Sequence, residues 1–154
     1  VNAQYWKDLS FENPRAPHAL ADMGQPPALQ VNVDVQASRL GDRIYETTLA
    51  INAEATRNEE PVFLAEITYA GVFTIPDGPE EAQRRLLLIE APRLLFPFAR
   101  AIIAGVTRDG GFPPLLINPI DFVDLYRRRV ESVEGAEKAD GTPSAEDAPT
   151  DKPN

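Results

Sequence analysis

A period-two alternation of apolar and polar residues recurs through the first half of the chain and then stops, and this pattern most constrains the fold. From Gln30 to Gln36, Val31, Val33 and Val35 alternate with Asn32, Asp34 and Gln36. Successive side chains of a strand point to opposite faces, so the pattern predicts a strand with one buried face. A second run carries Tyr45, Thr47, Leu49, Ile51 and Ala53 inward, with Glu46, Asn52 and Glu54 facing the other way. After the polar turn Arg57–Glu60 (RNEE), a third run places Phe63, Ala65, Ile67 and Tyr69 on its inner face and Leu64, Glu66 and Thr68 on its outer face. An earlier run, about Gln4 to Phe11, puts Tyr5, Leu9 and Phe11 on one face and Asp8, Ser10 and Glu12 on the other. Short turn signals separate the last three runs, which predicts hairpins and an antiparallel sheet. The first link, Asn13–Pro27, holds four prolines and one glycine and is expected to be a crossover loop.

The second half changes period. Asp77, Gly78 and Pro79 signal a helix start, and Glu80 and Glu81 suit the positive end of its dipole. Leu86 to Ile89 form a wide apolar stretch, Pro92 restarts or bends the helix, and Pro97 is placed to kink it. Ala99 to Val106 continue with good helix formers, and Arg108–Pro114 (RDGGFPP) reads as a loop. Asn118 is expected as an N-cap with Pro119 at the first helical position, followed by Phe122, Leu125, Tyr126 and Arg129 at helical spacing. Strands followed by helices predict an α+β fold: a four-stranded antiparallel sheet with helices packed on one face. From about Ser132 apolar residues become sparse and small, too few to offset ordering entropy. The expected organisation is a folded domain over 1–134 and a disordered, acidic, Pro-rich tail over 135–154.

Composition narrows the function classes. Among 154 residues, 24 acidic against 15 basic give a net charge of −9, which argues against nucleic acid as the main partner. No cysteine is present, which excludes disulfides, thiolate metal sites and cysteine catalysis. No stretch approaches the ~20 apolar residues of a membrane span. Val1–Ser10 lacks the basic-then-apolar plan of a signal peptide, and the absence of an initiating Met leaves room for residues ahead of Val1 in the native chain. The expectation is a cytoplasmic protein with no direct membrane insertion.

Little in the chain suggests catalysis. His18 is the only histidine, and nothing arranges Asp22 or Ser10 around it as a triad requires. No Asp/Glu cluster has metal-ligand spacing, and Gly110–Gly111 lacks the strand and helix context of a phosphate loop. The expectation is no enzyme, no metal and no cofactor. Two other features each admit two readings. Asp8 and Glu12 share a strand face, as do Leu64 and Glu66; the face is either simply solvated or a docking patch for a basic partner. Large apolar residues also fall in irregular, proline-bearing segments: Phe96 and Phe98 flank Pro97, and Phe112, Leu115, Leu116 and Ile117 follow a Gly pair. These residues either tuck against the core or line an open apolar groove.

Lys7–Glu12 with Pro14, Ala16, Pro17 and His18, then Phe63–Glu66 with Gly71–Ile75, Leu95–Arg100, and Gly111–Leu115 with Asn118–Phe122 are four segments in register that resemble the SecB family. The first resembles its opening strand and crossover loop, the second its last strand and the third its helical signature. The fourth resembles its loop and final helix, so the likeness runs from about Tyr5 to Tyr126. The resemblance implies a homotetramer, a dimer of dimers, that binds unfolded preproteins after translation, keeps them export-competent and delivers them to SecA without hydrolysing nucleotide. It implies that Asp8, Glu12, Leu64 and Glu66 contact SecA, whose small, basic, zinc-holding tail docks there, so any zinc belongs to that partner. It also implies that Phe96, Phe98, Phe112, Leu115 and Leu116 bind client. A SecB-like chaperone dedicated to one client, such as an antitoxin, is the alternative.

Overall fold

The computed structural model describes residues 1–140 apart from Met23. Four strands, β1 (Ala3–Glu12), β2 (Ala28–Gly41), β3 (Ile44–Arg57) and β4 (Glu60–Thr74), form one antiparallel sheet in the order β1-β4-β3-β2. The hairpins are tight. Asn58 and Glu59 close β3 onto β4 with φ of 52° and 64°, the positive values that a two-residue loop matched to strand twist requires. Because β1 and β2 are opposite edges, the segment between them must cross the sheet. It carries one short helix, α1 (His18–Ala21), and is the expected crossover loop.

Residue parity sorts the two faces. Thr47, Leu49, Ile51, Ala53 and Ala55 of β3 and Phe63, Ala65, Ile67, Tyr69 and Phe73 of β4 are buried on the inner face. Two features depart from expectation, one in β1 and one after residue 117. A register shift between Trp6 and Asp8 pairs Tyr5 with Ala70 and Leu9 with Ile67. Tyr5 therefore lies on the outer face, not beside Leu9 and Phe11, because the extra residue of a bulge inverts parity. The last helix also begins later than expected. Asn118–Asp121 have no regular structure, and α4 runs Phe122–Asp140. Asp121, immediately before it, is itself a favoured residue type at a helix start.

α2 (Glu80–Arg85), which buries no residue, leads into a π turn at Leu86–Glu90 and α3 (Ala91–Asp109), and these two cover the inner face. The π turn has a local cause. Pro92 has no N–H for the Leu88 carbonyl and its ring crowds that oxygen. The chain widens instead, and Ala91 donates to the Leu86 carbonyl, an i→i−5 bond. Leu87 and Ile89 are thereby buried, and the Leu87 carbonyl accepts a 3.0 Å bond from the buried Thr47 hydroxyl. Pro97 lies within α3 on an exposed face. The carbonyl it deprives, that of Arg93, lies on the same exposed side, so the helix runs through it. Gly71 lets α3 approach closely: a Cβ there would lie 2.9 Å from the Leu95 side chain.

Two compact units divide the chain, Val1–Phe122 and Val123–Asn154. Within the second, Asp124 pairs with Arg127 at 2.5 Å and with Arg128 at 2.6 Å along α4. The helix continues past 134 to Asp140, despite Gly135, through Ala136, Glu137, Lys138 and Ala139; residues 141–154 of the expected tail lie outside the described residues. No described helix is long and apolar enough to cross a membrane.

Candidate functional site

Two surfaces of the first unit draw together the residues singled out in the sequence. One is an apolar groove on the helical side. Its foundation is a cluster of three rings: Phe63 lies 5.0 Å from Phe112 and 5.8 Å from Phe11, and Phe11 lies 6.5 Å from Phe112. Val62, Ala55 and Ala19 are buried with them, and Leu20 and Leu115 pack against the cluster. The loop bringing Phe112 there is fastened at its root. The buried Thr107 hydroxyl donates to Ile103 O at 2.9 Å and accepts from Leu115 N at 2.9 Å, while Phe112 N bonds Thr107 O at 3.1 Å. Gly110 is required at the end of α3, since a Cβ would come within 2.3 Å of the Phe11 ring. Gly111 takes φ +94°, which disfavours any side chain.

Above this cluster a cavity of about 370 Å³ opens between two strips of chain. Gln25, Pro26, Pro27 and Leu29 form one wall; Phe112, Pro113, Pro114 and Leu115 form the other, with Phe63 and Arg57 between. The structure thus places Phe112 and Leu115 together. It does not bring the remaining three candidates to this cavity. Phe96 is buried against Phe122, with ring centroids 6.1 Å apart. Phe98 is 50% exposed on α3 and stacks on Tyr69 at 6.2 Å. Leu116 is 64% exposed, while its neighbour Ile117 is buried.

The second surface is the outer face of the sheet. Strand register arranges it in rows: Glu12–Leu64–Glu54–Gln30, then Ser10–Glu66–Asn52–Asn32, then Asp8–Thr68–Ala50–Asp34. Asp8, Glu12, Leu64 and Glu66 therefore occupy adjacent rows on β1 and β4. Glu66 is held in place by Asn52 Nδ2 at 2.6 Å and Ser10 Oγ at 3.3 Å. Asp8, Asp34 and Glu66 rim a shallow hollow of about 340 Å³. Farther along, Glu46 accepts from the Tyr5 hydroxyl at 2.5 Å and from Lys7 Nζ at 2.9 Å. The Tyr5 bond, then Lys7, hold the Glu46 carboxyl below its usual range. The same hydrogen bond, with burial and the nearby charge, pushes the Tyr5 hydroxyl up to about 12. Among the described residues no group of three acidic or histidine side chains is placed to hold a metal ion.

Residues 1–133 match the family model described as preprotein translocase subunit SecB. The chain belongs to the SecB family. It is 59% identical over 133 residues to the protein-export protein SecB of Rhodospirillum centenum, covering 84% of this chain and 78% of that one. It is 50% identical over 144 residues to that of Bradyrhizobium sp., covering 94% and 89%. Among solved structures it resembles a SecB-like chaperone of Mycobacterium tuberculosis in complex with a ChAD peptide from an antitoxin. That match has a TM-score of 0.64 at 14% identity and covers 77% of this chain and 88% of the other, a likeness of fold.

Within this SecB fold three residues lie outside the set that the sequence singles out: Glu54, Asp34 and Arg57. Glu54 shares a row with Leu64 and Glu12 and was already assigned to that face by parity. Asp34 needed the strand order, which puts β2 beyond β3. Arg57 carries a signal that the polar-turn reading of Arg57–Glu60 overlooks: its parity places a cation on the apolar face of β3.

Proposed function

We propose that this protein is a molecular chaperone of protein export. It binds unfolded preproteins after translation, keeps them competent for export and delivers them to SecA. The observation that carries this is the open apolar groove, framed by Pro26, Pro27, Phe112 and Leu115. An unfolded chain exposes apolar side chains, and their burial stabilises a complex by roughly 25 cal/mol per Å² without directional demands. Such a surface suits many clients. In this proposal Phe112 and Leu115 contact client directly. Phe98 and Leu116, exposed outside the cavity, extend the apolar surface, and Phe96 supports it from within.

The acidic outer face supplies the second half. Asp8, Glu12, Leu64 and Glu66 present carboxylates around an apolar side chain, a combination complementary to a small basic partner, here the tail of SecA. Because sheet face and groove lie on different sides of the strands, one protein can hold client and motor together. The working assembly is a homotetramer in the cytoplasm. Leu94 and Phe98, both half-exposed on α3, lie one helical turn apart and form an apolar stripe suited to another copy. Function needs neither catalysis nor a cofactor. A stable monomer by light scattering at micromolar concentration would remove the assembly from this account.

The test of the whole is retardation of refolding. The protein, added to a denatured preprotein diluted into buffer, should slow folding, and SecA should be retained with it on an affinity column. Retention of one dedicated client, with no effect on diverse unfolded preproteins and no SecA, would favour a single-client chaperone instead.

A further inference from the structure

We infer that Arg57 is the positioning residue that sets the width of the client groove, and so the side chains it admits. This rests on the groove being the client site. Arg57 ends β3 and is only 9% exposed, at an inner-face position otherwise occupied by small or apolar residues. Its Nε and Nη2 donate to the Gln25 carbonyl at 3.1 and 2.8 Å, and its Nη1 donates to the Ala19 carbonyl at 3.4 Å. Both acceptors belong to the crossover loop. Between Leu20 and β2, the two bonds to the Gln25 carbonyl are the hydrogen bonds that tie the loop to the sheet among the described residues. Pro26 and Pro27, which follow at once, have no N–H with which to anchor themselves.

The opposite wall is held separately, by Thr107 at the root of the Phe112–Leu115 loop. One wall thus hangs from Arg57 and the other from Thr107, with Phe63 between them. Among the described residues no carboxylate lines the cavity, and the guanidinium there donates to backbone carbonyls. A planar fork can fix a carbonyl in direction as well as distance. An ammonium at this position would supply a charge without that fork.

The experiment compares Arg57→Leu, Arg57→Lys and Leu115→Ala in the full chain. Two unstructured peptides are titrated, identical except for a central Phe or Leu, and the ratio of their affinities is read. Arg57→Leu should change that ratio by about threefold or more, under one tenfold step in affinity, with Arg57→Lys in between. Amide exchange across residues 19–25 should accelerate while that of β4 does not. A lowered melting temperature with an unchanged ratio would reduce Arg57 to a plain structural anchor and overturn the inference. If Arg57→Leu fails to fold, the Arg57→Lys ratio decides in the same way. Leu115→Ala separates the two levels. If it leaves both peptides bound as tightly as the parent does, the groove itself is not the client site. If it weakens them while neither Arg57 variant moves the ratio, only the role of Arg57 falls.

Discussion

The outer sheet face and the groove are assembled from the chain in different ways. On the outer face, neighbours in space are residues two apart on a strand or paired across a ladder, as Leu64 and Glu66 or Leu64 and Glu12 are. In the groove, Gln25–Leu29 meets Phe112–Leu115, segments far apart in sequence and irregular in both places. The first surface is polar and solvated, so its side chains contribute little to folding. The second shares its floor with a packed ring cluster, so a substitution there bears on folding as well as on the proposed client site. Substitutions should reveal the contrast.

The largest effect is expected at the cluster. Phe112→Ala removes a buried ring in contact with Phe63 and Phe11 and should cost about 3–5 kcal/mol of stability, as Phe truncations in cores do. Chemical denaturation of the variant measures it. A loss under about 1 kcal/mol, well below that range, would mean that Phe112 serves the groove alone and that the two roles are separable.

Next comes charge reversal on the other face. Asp8→Lys/Glu66→Lys should weaken SecA binding on the order of 100-fold, because like charges facing one another across an interface cost several kcal/mol. Asp8 is exposed and Glu66 half-buried, so the melting temperature should stay near that of the parent. Glu54→Lys should act in the same direction, since Glu54 sits in the row of Leu64 and Glu12. The parent interaction should also weaken with salt. Unchanged SecA affinity in the double variant would leave this face as ordinary solvated sheet.

The two surfaces also differ in how far the sequence revealed them. Alternation fixed the inner and outer sets of β3 and β4, because one wrong step would turn Leu49, Ile51 and Ile67 to water. It failed at Tyr5, where a bulge is a property of the pairing with β4 and leaves no mark in the composition of β1. The π turn at Leu86–Glu90 followed from Pro92, yet proline alone does not say whether a helix breaks, bends or widens. The groove was half visible. Phe112 and Leu115 stood out as apolar residues in a loop, but the opposite wall depends on where the crossover loop lands. That landing is set by Arg57, a charge at an apolar parity position. Phe96 and Phe98 look alike in sequence beside Pro97, but helical rotation buries one and exposes the other.

Leu115 refines the contrast inside the groove. It is half-buried, and its loop is fastened through its backbone N–H, which any substitution except proline keeps. Leu115→Ala should therefore weaken client capture about tenfold, roughly 1.4 kcal/mol. The stability loss should fall below the lower end of the roughly 2–5 kcal/mol range for fully buried leucines. Refolding assays and denaturation on one preparation check both. A stability loss as large as that of Phe112→Ala, with capture intact, would erase the distinction between floor and wall.

The smallest effect is expected at Tyr5, where the outer face is most tightly bonded. Tyr5→Phe deletes a hydrogen bond to a carboxylate on a partly exposed site, worth about 1 kcal/mol or less after solvent competition. Its pH dependence is more telling than its size. The Glu46 carboxyl is held below its usual range, so the stability it contributes is present above that range and is lost as pH falls through its folded value. The Tyr5 hydroxyl is raised from 10.0 to about 12, so its contribution is present below 10.0 and is lost as pH rises through about 12. The difference in urea midpoint between parent and Tyr5→Phe should be steady at neutral pH and shrink at both ends. Lys7 remains beside Glu46 in the variant, so part of the acid dependence should survive there. SecA binding should barely change, because Glu46 lies rows away from Asp8, Glu12 and Glu66 on the ladder. A midpoint difference that stays constant into strong acid would mean that the Tyr5–Glu46 bond contributes nothing to folding. A large loss of SecA binding would mean that the docking face reaches farther along β1 than the rows around Leu64.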